Sequence, residues 1–62
     1  MNKSYYNYIC EQNKGKQLLV ILKDGHKLIG KPVLINNKYL IQNTNGYLAD
    51  IDVKTIKDIK LI

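Results

Sequence analysis

The sequence predicts a mostly β protein: a small, strongly bent, five-stranded antiparallel barrel with a short N-terminal helix. Three observations carry that prediction. Asp24-Gly25 separates two apolar runs, Leu18-Leu19-Val20-Ile21-Leu22 and Leu28-Ile29, the pattern of a tight β-hairpin in which Asp and Gly supply positive φ. Gly30 falls inside the returning strand, where an interior glycine marks a sharp bend or a close backbone approach. Turn-forming clusters recur at Asn36-Asn37 and at Asn43-Thr44-Asn45-Gly46, and they divide the rest of the chain into strand-length pieces.

Residues 4–13 read as the helix, with Ser4 as N-cap and Gly15, in Asn13-Lys14-Gly15, suited to a left-handed ending. Tyr5, Tyr8, Ile9 and Gln12 share a face at helical spacing and are expected to cover the open end of the barrel, leaving Tyr6 exposed off that face. The barrel takes residues 17–62. Gln17 to Lys23 is a nearly continuous apolar first strand, and His26 to Ile35 is the second, bent at Gly30, with Pro32 at an edge or beside the bend. Lys38 to Gln42 is the third strand, and Tyr47 to Asp52 alternates as a fourth. Val53-Lys54-Thr55 is a short connection of 3₁₀ type, and Ile56 to Leu61 closes the chain with Ile56 and Ile59 pointing inward. Such a meander removes its sheet edges most completely by closing.

A chain of 62 residues is one domain, and at that size only about 60% of the unfolded surface can be buried. The single cysteine, Cys10, excludes an internal disulfide and supplies too few thiolates for structural zinc, which leaves oligomerisation as the available stabiliser. One cysteine also fits a reducing compartment. Met1-Asn2-Lys3-Ser4 leads into no apolar segment, so a soluble cytoplasmic protein without a membrane partner is expected. The net charge is +5, with ten basic residues, all Lys, against five acids. That excess suits anionic partners such as RNA, and equally it keeps a small β protein soluble and its edges unattractive. Without Arg the chain lacks the bidentate readers of guanine edges, which argues against sequence-specific DNA recognition.

No enzyme chemistry is legible. His26 follows a turn with no ligand cluster beside it, Cys10 has no paired His, and Asp50 and Asp52 fall together on one strand face in the manner of solvated carboxylates. Neither a metal nor a cofactor is expected. Tyr5, Tyr6 and Tyr8, with Lys3 and Lys14 nearby, combine stacking surface and charge as single-stranded nucleic acid requires; packing against a barrel explains them as well.

With the elements placed, the chain resembles the Sm-like family, most closely its Hfq-type bacterial RNA-binding branch. The residues that carry the resemblance are Leu22-Lys23-Asp24-Gly25-His26-Lys27-Leu28-Ile29-Gly30 with Asn36 six residues on, and the closing Ile56-Lys57-Asp58-Ile59. The likeness spans nearly the whole chain. It implies a homo-oligomeric ring, a hexamer or heptamer, that holds short A/U-rich single-stranded RNA. By that resemblance Asn36, Asn37, Lys38, Tyr39 and Lys54 are the RNA-binding candidates, with Tyr6, Lys3 and Lys31 as accessory contacts. The family's loop Asp is here Asn36, and its next ring-facing residue falls on Tyr39 or Lys38. The Tyr-Lys-His run of the Hfq-type proteins is replaced by Asp52-Val53-Lys54, and the Arg-Gly pair of eukaryotic Sm proteins is missing. Tyr39 is read either as a stacking platform or as a strand residue packed on its neighbours. The alternative is an SH3-like barrel that binds protein, such as a small phage or plasmid regulator without RNA binding.

Overall fold

A computed structural model describes residues 1–62. Helix α1 spans Lys3–Gln12, followed by β1 Leu18–Leu22, β2 Lys27–Ile35, β3 Lys38–Gln42, β4 Leu48–Ala49, a 3₁₀ turn Val53–Thr55, and β5 Ile56–Leu61. The fold is mostly β, as the sequence predicts: five antiparallel strands in one sheet, in the order β4-β3-β2-β1-β5, with one short N-terminal helix. No helix is long and apolar enough to cross a membrane.

The bend lies where Gly30 anticipates it. β2 pairs with β1 as far as Gly30, opposite Leu18, and with β3 from Lys31 onward, opposite Gln42. The strand therefore changes partner between two consecutive residues. A Cβ at Gly30 would run into the Gln42 carbonyl and stand 2.8 Å from Ile41 Cγ2, so the two halves of the sheet approach there as closely as a bare α-carbon permits. Pro32 is buried two residues beyond the bend, across from Ile41.

Turn chemistry sets the hairpins. Asn36 and Asn37 both have positive φ, 51° and 63°, in a two-residue turn closed by the Ile35–Lys38 pair. Asn tolerates that region better than other residues with a side chain. The first hairpin differs from expectation. Its loop holds three residues: the Leu22 N–H donates to the His26 carbonyl at 2.8 Å and the Gly25 N–H to the Leu22 carbonyl at 3.0 Å. Within that loop only Gly25 is left-handed, while the Asp24 carboxylate accepts the His26 N–H at 3.0 Å. Asn43 and Tyr47 frame a loop of the same design.

Helix α1 departs from prediction at its cap and its face. Asn2, not Ser4, is the N-cap, its side chain accepting the Tyr5 N–H at 3.0 Å. Tyr6 and Cys10, one turn apart, are the buried residues at 3% and 0% exposure, whereas Tyr5 and Tyr8 are 56% and 60% exposed. The sheet selects this face because it offers the Tyr6 hydroxyl a buried acceptor, the Tyr39 carbonyl oxygen at 3.0 Å. Around them the core gathers Val20, Ile41 and Ile56, with Leu22, Leu28, Ile51, Val53 and Ile59 packed against it.

The sheet does not close. β4 keeps two residues of the expected six, pairing Leu48 with Gln42 and Ala49 with Ile41. Beyond Ala49 the carboxylates draw the chain away: Asp50 takes the Lys38 ammonium at 2.7 Å, and Asp52 accepts the Lys54 N–H at 3.0 Å and caps the 3₁₀ turn. Asp competes with ladder pairing in this way and is depleted in strands. β4 and β5 are therefore the two outer strands of an open, strongly bent sheet.

Candidate functional site

The candidate residues fall into separate neighbourhoods. Asn36 and Asn37 stand exposed at the tip of the β2–β3 hairpin. Lys38 follows them, and its side chain and that of Asp50 are each 57% exposed. Lys38 meets Lys3, Asp50, Ile51, Asp52 and Val53 around an open hollow of about 380 Å³. The fold thus brings Lys3 and Lys38 together from the helix start and the third strand, and sets both carboxylates of the shortened β4 region beside them. The local charge is mixed rather than purely basic.

Lys54 lies elsewhere. It lines a hollow of about 300 Å³ with Leu22, Lys23, Asp24 and Thr55, where the 3₁₀ turn is tied to the first hairpin by the Lys23 N–H donating to the Thr55 carbonyl at 2.8 Å. Lys31 borders a third hollow, of about 360 Å³, with Gln17, Gln42, Asn43, Thr44 and Gly46.

Two aromatic candidates are not available for stacking. Tyr39 is 8% exposed and sits in the core; its carbonyl oxygen accepts from Tyr6 and its hydroxyl donates to the Glu11 carboxylate. Tyr39 and Ile41 alternate inward along β3, and that period of two places Tyr39 under α1. Tyr6 is buried with it. The aromatic rings that reach solvent are those of Tyr5, Tyr8 and Tyr47, the last 73% exposed. Sequence reading set Tyr5 and Tyr8 inward and left Tyr47 within a regular strand.

Hydrogen bonding sets the local electrostatics. Glu11 is held below the usual carboxylate range by the Tyr39 hydroxyl and then by the Lys14 ammonium, 3.3 Å away. Tyr39 is pushed up by the same carboxylate, and Lys14 likewise. Burial raises Tyr6 strongly and raises the Cys10 thiol, a shift only partly opposed by the Tyr6 hydrogen bond. A buried thiol with a raised pKa is a poor nucleophile. At the first hairpin Asp24 is lowered by the His26 N–H and then by its ring, whose Nδ1 is 2.8 Å from the carboxylate. No group of three or more His, Cys, Asp or Glu side chains stands close enough to hold a metal ion.

Gln17, Gln42, Asn43 and Thr44 around Lys31 were not legible as a group. The signal for them is the register across the Gly30 corner, which juxtaposes residues far apart in the chain. No family model, curated protein or solved structure matches the chain.

Proposed function

We propose that this chain is an Sm-like protein that assembles into a ring and binds short single-stranded RNA rich in A and U. The observation that carries the reading is the open sheet: a strongly bent sheet whose outer strands, β4 and β5, each have one neighbour and leave Leu48, Leu61 and Ile62 exposed at 47%, 59% and 67%. An edge with unpaired backbone groups and apolar side chains is a template for another strand. Pairing β4 of one copy with β5 of the next is a head-to-tail contact, and such contacts give rings when the rotation closes. Assembly also answers the small core of a 62-residue chain.

In that reading Asn36, Asn37, Lys38 and Lys3 face the RNA, Lys54 and Lys31 add charge further out, and the net charge of +5 supplies most of the affinity. Light scattering on the eluting native protein tests the ring: a mass of about six or seven protomers supports it and a single-protomer mass overturns it. Titration with oligo(U) and oligo(A) at two salt concentrations tests the ligand. Binding at low salt that falls steeply as salt rises is expected, and no binding at low salt removes the RNA reading.

A protein-binding SH3-like barrel is the second reading, favoured by the burial of Tyr39 and Tyr6 and by the Asp50 carboxylate on Lys38. Recovery of one protein partner that persists after nuclease treatment, with a monomeric native mass, is its signature.

A further inference from the structure

At the Gly30 corner three strands meet, and their polar side chains converge. Lys31 lies opposite Gln42 in the β2–β3 ladder, and Gln17, one residue before the Leu18 that pairs with Gly30, lines the same hollow. With Asn43, Thr44 and Gly46 of the neighbouring loop they line an open hollow of about 360 Å³ with no hydrophobic residue in its lining. No carboxylate lines it either. The lysines paired with a carboxylate are Lys14, with Glu11, and Lys38, with Asp50, so the Lys31 charge has no carboxylate partner.

Two of the side chains around Lys31, Asn43 and Gln42, are held in place by hydrogen bonds. Asn43 Oδ1 accepts the N–H groups of Asn45 and Tyr47 at 2.9 and 3.0 Å, which leaves Asn43 Nδ2 free to donate. Gln42 Nε2 donates to the Gly46 carbonyl at 3.3 Å, fixing that side chain against the loop. Thr44 adds a hydroxyl and Gln17 a further amide. One ammonium beside several neutral donors, with no carboxylate among them, suits an oxyanion rich in acceptor oxygens such as a phosphate. The volume is that of a small-ligand site and admits a phosphate with its sugar.

We infer that this hollow is a phosphate-binding site, with Lys31 as its charge and Asn43, Thr44 and Gln17 as its donors. It shares no lining residue with the hollow around Lys3 and Lys38. The phosphate belongs either to a nucleic-acid backbone, a source that rests on the RNA-binding reading above, or to a free phosphorylated small molecule.

Amide ¹H–¹⁵N shifts of the full chain test the site during titration with inorganic phosphate, uridine monophosphate and an oligouridylate of about eight nucleotides, with acetate at equal ionic strength as control. Phosphate and the nucleotide are expected to move the amides of Gln17, Lys31 and residues 42–46, and Lys31→Gln to weaken both about tenfold. Lys27→Gln, on the same strand and outside the hollow, is expected to leave both unchanged. If the oligouridylate moves the same amides, the natural phosphate is a nucleic-acid backbone. If it does not, the site serves a free phosphorylated molecule. Silence of these amides towards phosphate and nucleotide, or a response equal to that with acetate or persisting in Lys31→Gln, overturns the site. An oligouridylate that then moves only residues around Lys3 and Lys38 leaves the RNA-binding reading standing without it.

Discussion

The Tyr6 hydroxyl donates a buried 3.0 Å hydrogen bond to the backbone carbonyl oxygen of Tyr39, and the Tyr39 hydroxyl returns a bond to α1 through Glu11. Two tyrosines thereby fasten the helix to the sheet at two points, beyond the end of the β3–β4 pairing at Ile41. Tyr6→Phe keeps the ring and deprives the buried carbonyl of its donor, an expected loss of about 1–2 kcal/mol. Tyr6→Ala adds a cavity, for about 3–5 kcal/mol. Urea midpoints at unchanged slope measure both; a Phe variant as stable as the parent would mean that solvent replaces the hydroxyl without loss.

Gly30 is expected to be the least replaceable glycine. Gly30→Ala drives a Cβ into the Gln42 carbonyl on the adjoining strand and forces the corner to open, at about 2–3 kcal/mol. Gly25→Ala meets no atom within 4 Å but must hold a φ of +94°, at about 1–2 kcal/mol. The ranking is the test: a Gly25 variant less stable than the Gly30 variant would remove steric closeness as the reason for the bend.

Acid should weaken the fold through two carboxylates. Glu11 and Asp24 have folded pKa values below their unfolded ones, so their contributions are complete above about pH 5 and are lost as pH falls through the folded values. Tyr39 and Lys14 are raised and carry the opposite sign: their contributions are complete below about pH 10 and are lost as pH rises through the folded values. Glu11→Gln and Asp24→Asn are each expected to flatten the acid limb of urea midpoint against pH. An acid limb unchanged in both variants would assign the sensitivity to other groups.

The outer strands can be tested without disturbing the core. Leu48→Lys combined with Leu61→Lys places charge on two exposed positions of the proposed seam, one on β4 and one on β5. The double variant is expected to keep the parent's far-ultraviolet dichroism and to elute as a single protomer. A ring mass retained by the folded double variant would exclude pairing through these edges.

Much of this architecture is legible in the sequence because turn residues fix it locally. β3 and β5 begin and end where sequence patterning places them, and β1 and β2 differ by one residue at their ends. The helix face is not legible. Tyr5 with Tyr8 and Tyr6 with Cys10 are competing stripes, and the choice between them is made by a carbonyl on β3 that local spacing does not reveal. The fourth strand is overread for a related reason: alternation at Tyr47, Ala49 and Ile51 ignores what Asp50 and Asp52 do with their side chains. Among candidate site residues, the meeting of Lys3 with Lys38 and of Lys31 with Gln17 depends on the path of the backbone around the corner.

Cys10, fully buried on the sheet-facing side of α1 and the only thiol in the chain, gives the molecule a built-in clock. A thiol reagent can reach that sulfur only when the helix lifts from the sheet, so the rate of modification counts those departures without any added label. Tyr6→Phe loosens the same latch and should quicken the reaction, whereas a partner that clamps α1 should slow it.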